Sequence, residues 1–169
     1  NSIGSLEDNL FDQCIKLTKI EIPNSITTIG KGVFNKCISI KKINIPNSVF
    51  YIGSDAFSDC DSLEKVVLSD SICSLEDNLF NRCKNLIDIE IPNSITKIGN
   101  GVFSECVSLD QIFIPDSVTS IGQYAFNECS KLSQLTIPSS VKSIGLNAFK
   151  GCSALSKIFI PSSIDSVNN

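Results

Sequence analysis

The sequence predicts a repeat solenoid of about seven coils, each 23 residues long, and two observations predict it. Phenylalanine falls at residues 11, 34, 57, 80, 103, 126 and 149, and cysteine stands three residues behind each, at 14, 37, 60, 83, 106, 129 and 152. Between these positions one motif recurs, I-x-I-P-x-S-[I/V]-x-x-I-G-x-x-A-F-x-x-C-x-x-L-x-x, as in "IFIPDSVTSIGQYAFNECSKLSQ". A unit this short cannot bury its own apolar face, but like units stacked in register bury a continuous core between them.

Each coil opens with a strand. Ile20, Ile43, Val66, Ile89, Ile112, Leu135 and Ile158 stay apolar, and so do Ile22, Ile45, Leu68, Ile91, Ile114, Ile137 and Ile160 two places on, the alternation of a strand with one buried face. Proline closes it at 23, 46, 92, 115, 138 and 161, where a missing amide ends a ladder, and Ser69 takes its place once. Asn, Asp or Ser and then Ser make a tight corner. A second short extended piece, such as Ile95 to Ile98, precedes glycine at 30, 53, 99, 122 and 145, which points to positive φ or a close backbone approach. Glu7 and Glu76 replace that glycine. The coils around them, "SIGSLEDNLFDQC" and "SICSLEDNLFNRC", are alike, so a block of three units is duplicated.

The motif resembles the BspA-like leucine-rich repeat, also called the Treponema pallidum type, over essentially the whole chain. The resemblance implies a right-handed superhelix with a parallel sheet on its concave face and short extended or helical turns elsewhere. It also implies a non-catalytic, cell-surface or secreted protein of bacteria or parasitic protists that binds a host or matrix protein. Residues 1–169 are then one solenoid domain, a fragment of something longer, whose pattern decays at Asp165-Ser166-Val167-Asn168-Asn169 as a natural C-terminus would.

The net charge of -4, with no basic run, argues against a nucleic-acid groove or an anionic membrane as partner. No stretch reaches the roughly 18 continuous apolar residues that span a bilayer. Without histidine the commonest general base is missing, no nucleophile or phosphate-loop motif occurs, and the carboxylates of the "LEDN" turns suit repeat geometry better than acid–base work. No cofactor or metal is expected, since no C-x-x-C pair occurs.

The seven periodic cysteines are expected to be buried free thiols acting as small hydrophobes. Coils about 4.7 to 4.9 Å apart lie within the Cα range of a disulfide. In-register Cβ atoms, however, keep a wider spacing than a relaxed bridge prefers, and a column of seven cannot pair completely. Cys73 is off the beat, in a column with Gly4, Thr27, Phe50, Thr96, Thr119, Lys142 and Asp165 that faces solvent, and is the reactive-thiol candidate.

Binding belongs where columns stop obeying the period. One outward column of the first strand reads Glu21, Asn44, Val67, Glu90, Phe113, Thr136, Phe159, and its neighbour begins Lys19, Lys42, Lys65. Val67, Phe113 and Phe159, beside the three-lysine stripe, are the candidate contacts for a protein ligand on the concave sheet. Phe50 and Tyr51 form a second apolar spot suited to self-association. The alternative is a cytoplasmic interaction scaffold with reduced cysteines, since free thiols are commoner in reducing compartments.

Overall fold

The computed structural model describes residues 4–167, and among these there is no helix. The chain winds as a β-solenoid whose strands pair only in parallel and only with their counterparts one repeat away, such as Lys42–Asn44 with Lys65–Val67 and Thr28–Ile29 with Tyr51–Ile52. Two ribbons of short strands run along the stack. The first, at the apolar stretch before proline, contains Lys42–Asn44, Lys65–Val67 and Asp88–Ile89, then Leu135–Thr136 and Ile158–Phe159, with an isolated Gln111–Gln134 bridge between the groups. The second contains Ser5–Leu6, Thr28–Ile29 and Tyr51–Ile52, then Ser74–Leu75, Lys97–Ile98, Ser120–Ile121, Ser143–Ile144 and Ser166–Val167. The period thus persists into the segment where the motif decays; Asn168 and Asn169 lie outside the described residues.

The third side, carrying phenylalanine and cysteine, is a run of turns and not a helical turn. Its backbone still joins the coils, as in Phe34 N–H to Ala56 O at 2.8 Å and Phe80 N–H to Val102 O at 2.9 Å. Alternate amides point to the next coil because the chain enters the left-handed region twice per repeat. One such column is Asn9, Gly32, Asp55, Asn78, Gly101, Tyr124 and Asn147, and the other runs from Gln13 to Gly151, with φ between 56° and 76°. Asn, Asp and Gly tolerate this conformation; Tyr124 does so only because its neighbours hold the turn.

The core is a set of columns. Phe34, Phe57, Phe80, Phe103 and Phe126 are fully buried, and consecutive rings from Phe11 to Phe149 stack at 5.3–5.8 Å with interplanar angles of 11–19°. Phe11 and Phe149, with a neighbour on one side only, are half-buried.

Glycine in the corner column answers to close approach and not to positive φ. A Cβ at Gly53, Gly122 or Gly145 would sit 2.3–2.6 Å from backbone of the preceding coil. That closeness lets each corner amide reach the coil before it. Gly30, Gly53, Gly99, Gly122 and Gly145 all donate at 2.8 Å, to Leu6, Ile29, Leu75, Ile98 and Ile121. Glu76 carries the Cβ that the column excludes, and no corresponding bond to Ile52 forms. The bond from Cys73 N–H to Phe50 O is missing too, although Thr96, Thr119, Lys142 and Asp165 make its equivalents at 2.8–2.9 Å. Ser69, buried at the proline position, donates its hydroxyl to Val49 O at 2.6 Å and fills the altered corner. The second ribbon is therefore interrupted between Tyr51–Ile52 and Ser74–Leu75.

Two outcomes test this architecture. Phe80→Ala should lower unfolding free energy by about 3–5 kcal/mol through cavity formation, and a loss under about 1 kcal/mol in denaturant melts would contradict the ring column. By hydrogen exchange, the amides of Cys73 and Glu76 should exchange faster than those of Thr96 and Gly99, and Glu76→Gly should slow both; equal protection in the wild type would mean the ribbon is continuous.

Candidate functional site

The first ribbon presents every second residue outward because strand side chains alternate: in Lys65–Val67 the middle residue is buried and its neighbours are exposed. Phe113 and Phe159 are the most exposed large apolar side chains among the described residues, at 70% and 69%, and Val67 is exposed at 46%. The three occupy alternate rungs of one column, separated by exposed Glu90 and Thr136. Phe113 stands where the ribbon is open, since Asp88–Ile89 has no strand partner on the C-terminal side and only Gln111 bridges onward.

Depressions follow this ribbon. One of about 380 Å³ lies over the opening, lined by Ile87, Asp88, Gln111, Phe113 and Gln134. A second, of about 690 Å³, shares Phe113 and adds Asp70, Glu90, Val67 and several asparagines. The third, about 610 Å³, is walled by Lys19, Lys42, Ile20, Ile43 and Val67, where the lysine stems supply apolar surface beneath charged tips. Another, of about 290 Å³, is lined by Gln134, Thr136, Lys157 and Phe159.

The lysine stripe is real as a column but not as a free positive field. Lys42 and Lys65 pair in register, with Asp88 on the next rung. Lys65 is held by Asp88, and Lys19 lies 2.7 Å from Glu21 on its own rung. The hydrogen bond between them and their charges raise the Lys19 pKa and lower that of Glu21. Of the three, only Lys42 has no ion pair among the described residues. Both pairs lay open to sequence reasoning, since Glu21 follows Lys19 by two places and Asp88 follows Lys65 by one repeat.

Phe50 and Tyr51 are exposed on the second ribbon, at 56% and 45%, on the rung that borders its interruption. Cys73, across that interruption, is exposed.

The periodic cysteines split by position. Cys37, Cys60, Cys83, Cys106 and Cys129 are buried, Cys152 is partly buried, and Cys14 is exposed, which corrects the expectation of a uniformly buried column. The first thiol has no coil stacked over it among the described residues. Composition did not reveal what these thiols do: from Cys37 to Cys152 each donates to the carbonyl of the phenylalanine 26 residues earlier, at 3.1–3.2 Å. That same carbonyl accepts the amide of its own coil's cysteine, as in Cys83 N–H to Phe80 O at 3.1 Å, so the thiol occupies its second lone pair. Burial pushes the Cys37 thiol up to about 11 and raises those of Cys60, Cys83, Cys106, Cys129 and Cys152. Among the described residues no group of three or more Cys, Asp or Glu side chains could hold a metal ion, and no helix is long and apolar enough to cross a membrane.

Under native conditions a thiol reagent should modify Cys73 and Cys14 at once and the five buried cysteines only on unfolding; rapid labelling of Cys83 would contradict the packing. The protonated thiols also set a pH dependence. The folded state holds its protons above the ordinary value of 9.0, so this stabilisation is complete below pH 9.0 and is lost, for Cys37, as pH rises through about 11. Thermal melts should therefore fall steadily above pH 9.

The BspA type leucine rich repeat region matches residues 4–133 and 96–169, with six copies. No curated protein matches the chain. Among solved structures, a leucine rich repeat protein of T. pallidum is similar over 99% of this chain and 74% of its own, at 28% identity and a TM-score of 0.80. A leucine rich cell surface protein of Faecalibacterium prausnitzii is 29% identical over 99% of this chain and 44% of its own, with a TM-score of 0.78. A leucine-rich repeat protein of Eubacterium ventriosum is 28% identical over 95% of this chain and 42% of its own, with a TM-score of 0.84. The chain thus spans less than half the length of the last two. Period, ring column and corner glycines agree with the sequence match, and the chain belongs to the BspA-type leucine-rich repeat family.

Proposed function

We propose that residues 1–169 form one non-catalytic binding domain of a longer cell-surface or secreted protein, which engages a host or matrix protein through the first ribbon, on the concave side of the stack. The observation that carries this reading is the run of exposed apolar residues, Val67, Phe113 and Phe159, on alternate rungs beside the depressions. The strict columns are spent on packing, so Phe113 and Phe159 gain nothing for the fold by being aromatic; aromatic anchors are enriched at binding hot spots. Likeness to the F. prausnitzii cell surface protein supports the location. The buried cysteines give no support to a cytoplasmic scaffold, because burial and the bond to phenylalanine carbonyls protect their thiols in any compartment. Phe50 and Tyr51 are proposed as a lesser contact for self-association.

Capture from host-cell lysate and matrix with wild type against a Phe113→Ser, Phe159→Ser variant tests the binding face. Loss of the captured protein is expected, and equal recovery by both would reject it. Sedimentation of a Phe50→Ser variant at high concentration should show less self-association than wild type.

A further inference from the structure

We infer that the ligand of this face is a protein segment presenting arginine or lysine to the surroundings of Phe113, an inference that rests on the first ribbon being the binding face. Phe113 belongs to both central depressions, so a segment lying in either one meets its ring. The charged groups around that ring are mostly acidic, among amides that can both donate and accept. The larger depression is lined by three carboxylates, Asp70, Asp88 and Glu90, against one ammonium, Lys65, which Asp88 already holds. Glu90 lies one rung from Phe113 in the same column and has no ion pair or side-chain hydrogen bond among the described residues.

The opening of the ribbon adds a backbone acceptor. At intact joints the carbonyl before the strand takes amides from the next rung: Lys41 O accepts Glu64 and Lys65 N–H, Glu64 O accepts Ile87 and Asp88 N–H, and Asp110 O accepts Ser133 N–H. Ile87 O, which would take the amides of Asp110 and Gln111, receives neither. Ile87 lines the smaller depression. An exposed ring face, an unpaired carboxylate and a vacant carbonyl together suit a guanidinium or ammonium, which the ring quadrupole attracts and the oxygens hydrogen-bond. The opposite charge is poorly served. Of the lysines toward the N-terminal end, Lys19 is matched by Glu21, Lys41 by Glu64 and Lys65 by Asp88, and Lys42, which has no ion pair among the described residues, lines the third depression away from Phe113, whereas Asp70 and Glu90 have no cation.

Calorimetric titration with two synthetic peptides of equal length, leucine alternating with arginine in one and with glutamate in the other, tests the charge of the ligand. The arginine peptide should bind wild type more tightly, and less so as salt is raised. Phe113→Ser should weaken it more than about 10-fold, and Asp70→Asn with Glu90→Gln, both at exposed positions where the fold is not at stake, roughly 5- to 10-fold. Equal binding of the two peptides, no binding of either, or an unchanged affinity in the Asp70→Asn, Glu90→Gln variant would overturn the cationic ligand. In each of those cases the binding face itself stands or falls by whether protein capture depends on Phe113 and Phe159.

Discussion

Close approach of each coil's backbone to the next is the constraint on which the rest of this structure depends. Short strands, two or three residues long, have little cohesion of their own, so the stack holds because all three sides meet their neighbours at hydrogen-bonding distance. The corner column shows how little slack there is. An added Cβ at Gly145 would stand 2.3 Å from the preceding backbone, so one methylene decides whether a joint closes. The ring column obeys the same spacing, and so do the thiols, whose reach to a phenylalanine carbonyl requires the coils to be in register.

The fold was legible because packing writes itself into strict columns: phenylalanine, cysteine and the alternating apolar pairs each recur at one spacing and form columns of the core through the middle of the stack, with exposure at its ends, as at Cys14 and Ile160. Glycine was legible as a special corner, but its cause needed coordinates, since a positive φ and a close approach leave the same mark in sequence. The left-handed positions were half legible. Asn9, Asp55 and Asn78 are residues such turns favour, whereas Gln13, Lys36 and Arg82 carry no such mark, because the neighbouring coils impose that conformation.

At the candidate site, exposure of Val67, Phe113 and Phe159 followed from strand alternation alone. The electrostatics did not, because a column of lysines was read without the carboxylates on neighbouring columns and rungs. Depressions and vacant backbone acceptors depend on where a ribbon opens. Glu76 and Ser69 had flagged the opening of the second ribbon as departures from the motif; nothing comparable marks the opening of the first beside Phe113.

Those two openings do not coincide. The second ribbon is broken between the Tyr51 and Ser74 rungs, and the first between the Asp88 and Gln111 rungs, farther along the stack. At the level of the first break Lys42–Asn44, Lys65–Val67 and Asp88–Ile89 remain joined, and at the level of the second Ser74–Leu75, Lys97–Ile98 and Ser120–Ile121 do. As with staggered joints in brickwork, a crack entering at either break runs into an unbroken course, so neither gap gives the molecule a plane along which it can part under load.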